Sequence, residues 1–217
     1  GGGIACLVSR IENCIIRDNW GFDADDRGGG ISFSPAGSWT SAVINCAIQG
    51  NSAGDGGGIF VFPSAICELH ATGTNACDIR GNSATNYGGG ICASTQAVLR
   101  AFGNVLVSAN VAGNGGGLAV RAGAQAALDE TGGAAPVFSG NGATNSGGAV
   151  FAAESATRLY FRAVQFQDNS AQGDASFSGG GGLALYGGAA MLGTNLVFSF
   201  NRCPHGLGGA LFLHNSM

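Results

Sequence analysis

The residues of this 217-residue chain that could do chemistry are seven cysteines, three histidines, nine arginines and thirteen acidic residues. The acidic ones gather in FDADDRGGG, residues 22–30, where Asp23, Asp25 and Asp26 lead into a glycine cluster, and Asp55 stands just before the next cluster. Four carboxylates on one corner could hold Ca²⁺ through oxygen ligands. Counted from the glycines, however, Arg27 occupies the position equivalent to Asp55, and no calcium-loop signature accompanies the aspartates. A solvated corner with an Asp–Arg pair is the preferred reading, calcium the alternative, and no metal ligand is assigned.

Catalysis on acidic polysaccharides needs a base beside a carboxylate and cations to hold the resulting charge. Lysine is absent. Arg10, Arg17, Arg27, Arg80, Arg100, Arg121, Arg158, Arg162 and Arg202 share no single column, although Arg17 and Arg80 fall in one phase, and His70, His205 and His214 fall in different phases. No catalytic residue or cofactor is assigned, and a polysaccharide lyase or epimerase is kept as the alternative function. Cys14, Cys46 and Cys77 repeat in one phase. Parallel side chains in a straight column do not converge on a metal, so unpaired core thiols are expected, with one disulfide among Cys6, Cys14, Cys46, Cys67, Cys77 and Cys92 as the alternative. Trp20 and Trp39 flank the acidic corner; Trp39 is read as covering an edge rather than meeting a sugar or a partner.

These residues need a frame, and the frame is a repeat. The apolar residues that close the glycine clusters are Ile4, Ile31, Ile59, Ile91, Leu118, Val150, Leu183 and Leu211, at steps of 27 to 33 residues. A second marker keeps the same period: Asn19, Asn51, Asn82, Asn110, Asn141, Asn169 and Asn201. Three residues before each Asn stand Ile16, Ile48, Ile79, Val107, Phe138, Phe166 and Phe198, and the position between this column and the apolar one at −5 varies freely. That alternation is the mark of a strand with one buried face.

Another strand follows each cluster (ISFS, IFVF, ICAS, LAVR), and a weaker one lies between (SAVIN, AVLRA, RLYFR). The expected fold is therefore all-β: a right-handed parallel β-helix with about three short strands per coil and roughly seven coils. The whole of 1–217 reads as one β-solenoid segment of a longer repeat protein. Glycine is called for where the backbone turns with positive φ or rungs crowd together. Asparagine is called for where an amide can bond its own backbone and the next Asn in the stack. Phe138, Phe166 and Phe198 should stack in the core.

The pairing of F-x-x-N (FSGN 138–141, FQDN 166–169, FSFN 198–201) with G-G-A-[ILV] (GGAV 147–150, GGAL 208–211) resembles the repeat of the polymorphic outer membrane protein family, known from chlamydiae. In the earlier repeats Ile or Val replaces Phe, and GGG replaces GGA. The resemblance implies a surface-displayed, often adhesive β-helical passenger, which in bacteria is carried by a C-terminal membrane barrel; these residues contain no such barrel. Similar repeats occur in large extracellular proteins of algae and protists, where they look structural.

Composition narrows the partners. Gly is 41 of 217 while hydrophobic residues make up 45%, which excludes a disordered linker. A net charge of −4 argues against a nucleic-acid partner. No apolar run is long enough to span a membrane. Ice binding would want a Thr-x-Thr ladder, and only Thr72 and Thr74 make that pattern. There is no Asn-x-Ser/Thr sequon. The expected function is a non-enzymatic scaffold or adhesive module, extracellular or at the cell surface. Its partners would be other protein subunits, further coils of the same chain or surface glycans, met through loops 20–27, 34–43, 122–135 and 171–179.

Overall fold

A computed structural model describes residues 2–214 except 22, 24, 36, 38, 131–133 and 174–177. The chain winds as a parallel β-solenoid of right-handed type, and every strand pairing is parallel, from one coil to the next. One coil illustrates the rest. Ile91–Ser94 is followed by Val98–Phe102, Val105–Ser108 and Val111–Asn114, and Leu118–Arg121 then lies in register on Ile91–Ser94. Named in this order, and among the described residues, sheet 1 has eight strands, sheets 2 and 3 seven each, and sheet 4 five. The sequence pattern calls for three strands per coil; the fourth is the short one that follows each Asn. It is poor in large apolar residues (SAGD, SATNY, VAGN) and its register shifts at a bulge, so it carries no clean alternation for a reader of the sequence to find.

The repeat columns become the core. Ile16, Ile48, Ile79, Val107, Phe138 and Phe166 are buried one above another in sheet 3. The predicted phenylalanine stack is present, with ring centroids 5.6 Å apart for Phe138–Phe166 and 4.6 Å for Phe166–Phe198. Sheets 1 and 2 add Ile91, Leu118, Val150, Leu99 and Leu159. Burying one such side chain is worth roughly 1.5–3 kcal/mol, and each needs the like residue of the neighbouring coil above and below it.

The asparagine column forms a hydrogen-bonded ladder. Nδ2 of Asn51, Asn82, Asn110 and Asn141 donates to Oδ1 of the next Asn at 2.9–3.0 Å. The backbone N–H of each donates to the same oxygen at 2.9–3.1 Å. The second Nδ2 proton goes to a carbonyl one coil back, as from Asn110 to Ile79. Asn82, Asn110, Asn141 and Asn169 have no exposed surface, so burying them is tolerable only because every donor and acceptor is met.

The glycine clusters close the coil. Gly88 has φ +65, and a Cβ on Gly89 would run into the Val111 carbonyl of the next coil. The first glycine answers a backbone twist, the second a close approach of chains.

Candidate functional site

At the acidic corner, Asp26 turns its carboxylate onto the backbone N–H of Asp23 at 3.0 Å, which closes a local turn. Asp55 lies one coil on, its backbone in a parallel β-bridge with that of Arg27 as the column equivalence requires, while among the described residues no ion pair joins the two side chains. Among the described residues no three or more His, Cys, Asp or Glu are grouped so as to hold a metal.

Asp55 instead belongs to a trough on the outer face of sheet 1. Away from its end strands this sheet is buried on both faces: Phe60, Cys92, Ala119, Phe151 and Ala184 point outward yet are covered. Side chains from neighbouring coils do the covering. Tyr87 reaches Phe151 with centroids 6.0 Å apart, Phe151 meets Tyr186 at 5.4 Å, and the Tyr186 hydroxyl is 2.7 Å from that of Ser146. The Arg121 guanidinium lies 3.7 Å from the centre of the Tyr87 ring and bonds Glu154 at 2.9 Å, while Arg27 sits over Phe60 and Phe62. Burial pushes the Asp55 carboxyl above its ordinary range; Arg27, Arg121, the Tyr87 backbone and the Asn86 side chain pull it back only in part. Its Oδ1 and the Arg121 Nε are buried without a hydrogen-bond partner. A carboxylate between two arginines has the composition of a lyase site, but here stacked aromatic rings and an ion pair occupy both guanidiniums.

The thiols carry no bridge: all seven cysteines are free. Burial raises Cys67 and Cys92 far above the ordinary thiol range, and Cys46 and Cys77 less so. Such thiols are poor nucleophiles. Cys14 departs from the expected core column, because the first coil leaves it exposed; its backbone N–H donates to the Cys46 sulfur at 3.4 Å. Trp39 does not cover an edge, being 72% exposed, and Trp20 is 64% exposed. Parts of loops 20–27, 34–43, 122–135 and 171–179 lie outside the described residues.

Sequence reasoning missed a depression on the outer face of sheet 2, with a volume of about 460 Å³. Two outward columns frame it: Arg100, Ala127, Tyr160 and, beside them, Phe102, Asp129, Arg162, in register coil on coil. Ala127, the small residue between two large ones, makes the floor. Arg162 Nε donates to Asp129 Oδ1 at 2.6 Å, and Arg100 donates to Glu68 Oε1 at 3.0 Å. Glu68 also meets His70 at 3.0 Å, and the His70 ring stacks on Phe102 with centroids 5.0 Å apart. Burial alone would raise the Glu68 carboxyl, but the bonds and charges of His70 and Arg100 outweigh it and hold the group below its ordinary value. The clue in the sequence is the order large–small–large in one outward column, legible only once the register of sheet 2 is known.

No family profile, curated protein or solved structure matches the chain. Among the described residues no helix is long and apolar enough to cross a membrane.

Proposed function

We propose that this solenoid is a non-enzymatic scaffold that displays surface and associates with other protein subunits or further coils, as part of an extracellular or cell-surface protein. The observation that carries the reading is the ladder Asn19 to Asn201, in which each amide is spent on the coil beside it. Some charged groups are spent the same way, coil to coil: Arg100 on Glu68, Arg121 on Glu154, Arg162 on Asp129. A structure that commits its polar groups to stacking is suited to span and display rather than to turn over a substrate.

Within this proposal the motifs resemble the polymorphic outer membrane protein repeat. The Asn of F-x-x-N makes the ladder, its Phe makes the core stack, and the glycines of G-G-[GA]-[ILV] permit the close approach of coils. An adhesive role would then fall to the loops and to the outer faces of the sheets.

The competing reading is a lyase or epimerase, for which the Arg27–Asp55–Arg121 grouping is the available machinery. Incubating the purified chain with pectate or alginate and Ca²⁺ separates the two. The scaffold reading expects no rise in the ultraviolet absorbance of unsaturated uronate products and no change in uronate configuration. Turnover that disappears in Asp55→Asn would overturn it.

A further inference from the structure

We propose that the slot over Ala127 binds one pyranose ring of a polysaccharide. Neighbouring coils lie roughly 4.8 Å apart, so side chains two coils apart stand about 9.6 Å from each other. Arg100 and Tyr160 are such a pair, with only the methyl of Ala127 between them. Rings on adjacent coils of this molecule stack with centroids at 4.6 to 5.6 Å. A ring set over Ala127 therefore comes to stacking distance of the Tyr160 side and of the Arg100 side together, with Phe102 on the diagonal. It fills the place a large side chain would take at position 127.

The rim decides what kind of ring. Two guanidinium–carboxylate pairs border the slot, and each keeps unused capacity. A guanidinium has five N–H donors; Arg162 gives its Nε to Asp129, and Arg100 gives one terminal nitrogen to Glu68. Asp129 bonds through Oδ1 and keeps Oδ2 as an acceptor. Planar donors and acceptors around an apolar floor with an aromatic side suit the adjacent hydroxyls and the C–H face of a sugar. The ring of a partner protein's Phe or Tyr would stack as well but would leave this rim unused. The slot goes beyond the display reading and does not depend on it, because binding requires no turnover.

The test titrates the full chain with cello-, chito- and galacturonate oligosaccharides, with N-acetyltyrosinamide as the aromatic control, read by saturation-transfer NMR and calorimetry. At least one oligosaccharide should bind with Kd on the order of 1 mM for the single ring seated. Ala127→Phe fills the slot and should abolish binding. Tyr160→Ala should weaken it about tenfold. Tyr160 faces outward and is 45% exposed, so its truncation should leave the melting curve in place and keeps the test valid should the Phe variant misfold. The proposal fails if none of the three sugars binds, if both variants bind like the parent chain, or if N-acetyltyrosinamide alone occupies the slot.

Discussion

Asp55 holds a carboxylate in a covered trough, where burial raises its pKa above the ordinary 3.8 despite two flanking arginines. The folded chain thus keeps a proton that the unfolded chain releases. The stability this group contributes is full below pH 3.8 and is lost as the pH rises through the folded value. Asp55→Asn is neutral at every pH and keeps the shape. It should melt higher than the parent at neutral pH, by no more than about 1 kcal/mol once solvent screening is allowed for, and the advantage should vanish in acid. Thermal melts of both proteins across that range check it; a lower melting temperature for Asp55→Asn at pH 7 would mean that the arginines, not burial, dominate the site.

At the scale of the strand and corner, glycine has two distinct uses. Gly140 has φ +62 with open space around it, and other members of its column are already non-glycine, Ala109 at φ 53 and Asp168 at φ 53. Gly140→Ala should therefore cost only about 1 kcal/mol. Gly89 has no such twist, but a methyl there meets the backbone of the next coil at Val111 and Gly116. Gly89→Ala should cost about 2–3 kcal/mol, since carbonyls held in a ladder cannot step aside. Urea unfolding compares the two, and equal costs would contradict the crowding argument. This difference also marks what was legible in the sequence. The period, the inward columns, the phenylalanine stack and the Arg27–Asp55 equivalence could all be read, because each is one residue type recurring at one phase. The fourth sheet was not legible, since its strands are short, small-residue and bulged. Nor was the trough, where Tyr87 reaches Phe151 two coils away, nor the slot at Ala127. Those features depend on register between coils, and coil lengths of 27 to 33 residues blur register in a linear sequence.

At the scale of the whole molecule, each coil pairs its strands with its neighbours and only side chains such as Tyr87 reach further, so stability accumulates along the axis rather than around one centre. The columns are what make the coils interchangeable, and some side chains that could have done chemistry, such as Arg121 and Glu154, help to hold them together. The most direct measurement of that claim is amide hydrogen exchange resolved by residue. The backbone N–H groups of Asn82, Asn110 and Asn141 donate not to a strand but to the side-chain oxygen of the next asparagine, with no surface exposed. These amides should be among the slowest to exchange in the chain, as slow as the core strand amides of Ile79 and Val107. Exchange at the rate of the exposed turns would show that the ladder does not hold the coils, and the stacked scaffold would have to be given up.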